Sequence, residues 1–167
     1  MTNVIADKDE EERRLKALAE YRILGTEPES CYDDITQIAA RTCNVPISLM
    51  TLVDKDRQWF KSKVGFQTNE TRRDWSFCTH AIKQNNPLVV NDACLDKRFI
   101  NNPLVTGDPK IRFYAGFPLK NNEGNKLGTL CVIDRKPGSL DEEQCSIMEL
   151  LAKQIVSFLE LRKRSLN

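Results

Sequence analysis

The stretch that most constrains this chain is FYAGFPLKNNEGNKLGTLCVID, from Phe113 to Asp134. Its first part, Phe113 to Leu119, is aromatic and apolar, and Leu127 to Ile133 returns with almost no polar break. Between them, Asn121-Asn122-Glu123-Gly124-Asn125 supplies turn residues, with Gly124 free to take a positive φ. The pattern is a hairpin. Side chains alternate across a strand, so Leu127, Thr129, Cys131 and Ile133 share one face and Gly128, Leu130 and Val132 the other. Both faces are largely apolar, which predicts a central strand covered on both sides. Helices must therefore lie before and after it.

The remaining chain offers them. DEEERRLKALAEYRIL, residues 9–24, has Leu15, Leu18, Ala19, Arg22 and Ile23 at helical spacing, with acids in the first turn and Gly25 as a stop. A second helix is predicted over 31–43, ended by Asn44 and Pro46. Residues 46–54 read as a strand and 58–64 as its hairpin partner, followed by a polar loop over 67–73. Ser76 is placed to cap a short helix over 76–82, and a short strand follows at 87–91. Residues 92–112, rich in Asn, Asp, Pro and Gly, form a long connection with one helical turn at 97–100, and long ordered connections tend to be binding loops. The longest helix runs from Asp141 to about Ser165. Hairpins outnumber crossovers, so the class is α+β with an antiparallel sheet. Residues 1–8 are expected to be a disordered tail and 9–165 a single domain.

A net charge of +1 gives no bulk pull toward nucleic acid or anionic membrane, and no apolar run reaches the ~20 residues of a membrane span. The polar start carries no signal-peptide core, so the expected location is cytoplasmic. The six cysteines contain no C-x-x-C pair and there is one histidine, which speaks against a disulfide framework or zinc site.

Five blocks in order, RQWFKS, SFCTHAI, LVVNDACLDKRFINNPLV, IRFYAGFPL and LGTLCVID, together resemble GAF domains, particularly the small sensory ones of bacterial signalling proteins. The resemblance covers roughly residues 10–162. It implies a five- or six-stranded antiparallel sheet, terminal helices behind it and a ligand pocket in front, under the Phe77 helix and the long connection. It also implies a regulatory role, with a small molecule bound or dimers formed through terminal helices and the state passed to an attached output domain; none is expected after Asn167, which leaves a separate output protein as a candidate partner.

Within that picture, Phe77, Cys78, His80, Asp92, Arg98, Phe99, Asn101, Tyr114 and Gly116 are the candidate ligand-binding residues. His80 suits a pocket-lining polar group; as a haem ligand it lacks any supporting pattern. Cys78, near a helix N-terminus, has the position of a reactive thiol. Free methionine-(R)-sulfoxide reductases share the fold and use cysteines, yet Thr68 and Asn101-Asn102 stand where that resemblance asks for two of them. Bilin attachment lacks the adjacent Cys-His pair. The cyclic-nucleotide signature is also altered, with Asp134-Arg135, Leu140 and Glu142-Glu143 in its place. Arg98 can fork a carboxylate or phosphate, or hold the loop through Asp92 and Asp96. Phe99, Phe113, Tyr114 and Phe117 are shared between pocket wall and core, and Gly116 is where a ligand or another backbone can approach. Leu151, Ile155 and Leu159, with Leu15, Leu18 and Ile23, offer stripes for a homodimer.

The expectation is a non-enzymatic sensor of an unidentified small molecule, with no nucleic-acid or membrane partner and no cofactor specified by the residues. The alternatives are a ligand-free dimerisation module and a thiol enzyme built on Cys78.

Overall fold

The computed structural model describes residues 4–167. Its elements are α1 (Val4–Glu20), α2 (Ser30–Cys43), β1 (Ile47–Val53), β2 (Arg57–Val64), β3 (Glu70–Arg72), α3 (Cys78–Ala81), β4 (Leu88–Val90), α4 (Pro103–Thr106), β5 (Phe113–Lys120), β6 (Lys126–Asp134) and α5 (Glu142–Ser165). Six strands pair in the order β3-β2-β1-β6-β5-β4, every neighbour antiparallel. The fold is α+β, as the hairpin-rich pattern predicts, with β1 and β6 central.

The β5–β6 hairpin closes where the turn residues stand. Gly124 takes φ 87°, and the Asn121 side-chain oxygen accepts from the backbone N–H groups of Glu123 and Asn125. All seven residues of β1 are buried, as a central strand requires. On the rear face Met50, Leu52, Trp59, Phe113, Ala115, Phe117, Leu130 and Val132 pack against α1, α2 and α5; Leu127 joins them although its strand neighbours in the alternation face forward. Each large apolar side chain buried there contributes about 1.5–3 kcal/mol. On the front face Leu49, Val53, Phe60, Tyr114, Cys131 and Ile133 meet α3, α4 and the long connection.

Several boundaries differ from expectation for identifiable reasons. The first helix starts at Val4, so residues 4–8 of the expected tail are helical, while 1–3 lie outside the described residues. It ends at Glu20, not near Gly25, because Arg22 takes φ 48° and the Arg162 guanidinium donates to the carbonyls of Tyr21 and Arg22 at 2.8 and 2.7 Å. A partner from the far end of the chain thus satisfies the orphan carbonyls of the helix terminus. Ile23 still reaches the core, in extended chain. The polar loop over 67–73 contains the edge strand β3, whose Glu-Thr-Arg sequence carries no apolar signal. The long connection is more structured than expected, with a 3-10 turn at Ala93–Leu95 and then α4.

Two devices position the front face. β2 carries a bulge opposite Met50 and Thr51, and Lys61, its extra residue, reaches the rear helices. There its ammonium group is buried, ion-paired with Glu29 and donating to Thr26 Oγ1 at 2.8 Å. Arg14 is also buried, forking Glu11, and Glu11 also takes Arg73 from the segment before α3. This ties α1 to the roof of the front face. Burial opposes the Glu11 charge, but the two guanidinium groups outweigh it and hold its carboxyl down to about 2.

The terminal stripes expected for dimerisation are spent inside the chain. Ile155, Leu159, Leu18 and Ile23 are buried, and Leu151 is half-buried against the rear core. The apolar residues that α5 exposes are Leu150 and Leu161, 57% and 58% accessible.

Candidate functional site

The candidate site is a slot on the front face, walled by Leu49, Phe60, Phe66, Leu104, Ile111 and Ile133 and floored by Cys78, Tyr114 and Cys131. Its polar edge is Gln58, whose amide donates to Thr71 Oγ1 and whose oxygen accepts from Ser76 Oγ, both at 2.8 Å. Ser76 also accepts from the Thr79 N–H at 3.2 Å and so serves the start of α3, as its sequence position predicts. The free space left is about 20 Å³, room for roughly one water molecule.

Phe77 lines the slot, and Phe99 backs it. The long connection buries Phe99 completely, its ring stacked on Phe77 at 3.9 Å between centroids and 6° between planes. His80 meets the Phe99 edge at 5.0 Å, and the Arg98 guanidinium lies over the ring at 5.1 Å while pairing with Asp96. The connection is anchored beside this stack. Asn102 caps α4 by accepting from the Leu104 N–H, and its amide donates to the Trp75 carbonyl, both at 2.9 Å.

Below the aromatic rings lies a buried polar cluster. The Cys78 sulfur is 3.1 Å from the Tyr114 hydroxyl and 3.0 Å from Thr129 Oγ1, and Thr129 Oγ1 is 3.0 Å from Thr51 Oγ1. Burial raises the Cys78 pKa, but hydrogen bonds from Cys131, Thr129, Thr51 and Tyr114 outweigh it and hold the thiol below its ordinary value. Burial carries Cys131 and Tyr114 well above theirs. Gly116 earns its place here, since a methyl group on it would collide with the Tyr114 ring and hydroxyl.

Of the nine residues singled out from the sequence, Phe77, Cys78, His80, Arg98, Phe99 and Tyr114 gather at or around the slot. The other three have different places. Asp92 caps the 3-10 turn by accepting from the Cys94 N–H, Asn101 is exposed, and Gly116 makes room for Tyr114. Arg98 spends its fork on Asp96, so it shapes the loop. Phe113 and Phe117 point to the rear core. Burial lowers the His80 pKa, with Lys83 and Arg98 adding to the effect, so the fold favours the neutral imidazole. All six cysteines are free, three of them buried. The residues that sequence reasoning missed, Gln58, Thr71 and Thr51 among them, sit on the front-facing alternation of β1 to β3, the one signal that pointed to them.

The sheet order, the helices behind it and the roofed slot in front define a small α+β domain. The chain belongs to the GAF domain family, whose pattern it matches over residues 27–158. It is 38% identical over 150 residues to the cyclic di-GMP phosphodiesterase PA2567 of Pseudomonas aeruginosa, which includes 89% of this chain but only 26% of that relative's length. The GAF domain of an Acinetobacter phosphoenolpyruvate-protein phosphotransferase superposes with a TM-score of 0.64, at 15% identity, over 96% of this chain and 95% of that one. A free methionine-R-sulfoxide reductase from Neisseria meningitidis, solved with its substrate, superposes with a TM-score of 0.65 at 16% identity over 89% and 87% of the two chains. Identities this low carry the fold alone. Among the described residues, no helix is long and apolar enough to cross a membrane, and no cluster of three or more His, Cys, Asp or Glu is placed to hold a metal ion.

Proposed function

We propose that this chain is a non-enzymatic sensory GAF module in which a small, largely apolar molecule enters the slot by shifting Phe77 and the Phe99 ring stacked on it. The observation that carries the reading is the aromatic stack over the slot. Phe77 lines the slot over Tyr114 and is backed by Phe99 from the long connection, while Gln58 and Thr71 offer polar contacts at the slot's rim. The inner hollow shares Phe66, Thr71 and Leu104 with a surface groove of about 500 Å³ bordered by Trp75, Arg72 and Arg135, which gives an entry route. Displacing Phe99 would disturb the Asp96–Arg98 pair and the roof segment, and Arg73 would pass the change to α1 through Glu11. Terminal helices are then the output, and residues 9–165 act as one unit. Exposed Leu150 and Leu161 on α5 are the surface we assign to a second copy or an output protein. The relationship to part of a cyclic di-GMP phosphodiesterase supports a regulatory role beside an output activity, not that activity itself.

A second reading has its own support. A slot with about 20 Å³ of free space suits a filled, ligand-free dimerisation module. Native mass spectrometry with hydrogen exchange over residues 92–112 separates the two. Excess mass that disappears on denaturation, with changed exchange in that segment, supports the sensor. A bare dimer whose 92–112 exchange no added compound alters refutes it.

A further inference from the structure

The floor of the slot holds thiol chemistry that the ligand reading does not call on. Cys78 on α3 and Cys131 on β6 both border the same small hollow, and the Cys78 sulfur lies against Thr129 Oγ1, two residues before Cys131 on the same face of β6. Buried thiols in apolar surroundings are normally inert because nothing there favours the thiolate. Here two hydroxyl groups, from Tyr114 and Thr129, lie at 3.1 and 3.0 Å from the Cys78 sulfur, and Thr51 continues the chain behind Thr129. The hollow admits one solvent-sized molecule and meets the surface groove at Phe66, Thr71 and Leu104. A small uncharged oxidant fits that route; a bulky reagent does not.

We propose that Cys78 and Cys131 are a peroxide-reactive dithiol that closes into a disulfide joining α3 to the central strand. In the first step the Cys78 sulfur attacks one oxygen of a hydroperoxide. An S–O bond forms, the O–O bond breaks, and the thiol proton leaves on the departing oxygen, as water when the oxidant is hydrogen peroxide. In the second, Cys131 attacks the Cys78 sulfenic acid. An S–S bond forms, the S–O bond breaks, and the Cys131 proton leaves with the hydroxyl as a second water. Two electrons pass from the thiols to the peroxide. The disulfide then fastens the roof to the floor, so oxidation locks the slot in its narrow form. The pairing does not depend on any ligand for the slot.

The test uses the whole chain. Protein treated with stoichiometric hydrogen peroxide is unfolded in an alkylating reagent and mapped by mass spectrometry. The expected result is a fall from six alkylatable thiols to four, the loss of two hydrogens in mass, one Cys78–Cys131 cross-linked peptide, and full recovery with dithiothreitol. In Cys131→Ser, oxidised first and then unfolded in dimedone, an adduct is expected at Cys78. Cys43 and Cys145, neighbours between α2 and α5, are an internal comparison. A cross-link between that pair with Cys78 and Cys131 still free would overturn the proposal. So would oxidation confined to half-buried Cys31 or Cys94. The wild-type peptide map decides the matter even if a serine variant fails to fold.

Discussion

Replacing Phe99 with alanine tests whether the slot is closed by packing. The ring is fully buried, and truncating such a residue costs about 3–5 kcal/mol, the spread depending on how far the surroundings collapse into the hole. Its stack on Phe77 and edge contact with His80 add about 0.5–1.5 kcal/mol per pair beyond the buried area. Arg98 lies over the ring but is largely solvated, so its loss counts for little. Collapse is limited because Asn102 pins the connection to Trp75 and caps α4. We expect a loss of about 4 kcal/mol by urea denaturation, equivalent to a fall in Tm of roughly 8–16 °C for a chain of this size. The neighbouring Ile100→Ala is the control: its side chain is half exposed and should cost about 0.5 kcal/mol or less. A Phe99→Ala loss below about 1.5 kcal/mol, or one equal to that of Ile100→Ala, would refute the argument that this side chain seals the front face.

Gly116→Ala should destabilise by about 2–4 kcal/mol, from overpacking against Tyr114 and loss of the Tyr114–Cys78 contact. Adding Tyr114→Phe removes the colliding hydroxyl and should recover part of that loss in thermal melts; no recovery would show that the strain lies elsewhere. The fold lowers the His80 pKa below 6.5, so between the two values the unfolded chain binds more protons. Its contribution to stability is therefore complete above pH 6.5 and declines as pH falls through the folded value, and His80→Gln should flatten that part of a Tm–pH profile. Glu11, held to about 2 against an ordinary 4.5, contributes stability that is present above pH 4.5 and lost as pH falls toward 2. Because a third of its side chain is accessible, Glu11→Gln should cost only about 1 kcal/mol at pH 7, and the difference from wild type should vanish in acid-denaturation curves near pH 2. A difference that persists there would remove the ion-pair explanation.

The hairpin from Phe113 to Asp134 and the end of α2 were legible because their causes are local. The turn needs only Asn121 and Gly124, and Asn44 ends α2 by taking φ 53° itself. The end of α1 was not legible, because what stops it is Arg162, 140 residues away from Arg22. Which aromatic faces forward could be read only in part. Tyr114 and Phe113 are adjacent and must point oppositely, but nothing local says that the forward one leans over Gly116. Of the neighbouring pair Asn101 and Asn102, the sequence offers no reason to prefer the second, whose cap and bond to Trp75 depend on tertiary placement. The openness of the slot was beyond reach for the same reason. Phe77, which lines it just before α3, is held by a ring from residues 92–112.

The sheet ends on both sides in strands of only three residues, β3 and β4. An exposed edge is a template for another chain, and its risk grows with the length of unpaired backbone it presents. Here one edge reads Glu-Thr-Arg, with Arg57 already engaging Glu70 across the ladder. The other has Pro87 immediately before it and cannot extend a donor there. Copies of this chain thus have little means of joining their sheets into a continuous ribbon, even when crowded. Association is left to helical surfaces, which can be tuned one side chain at a time and released again, whereas sheet-to-sheet growth tends not to reverse.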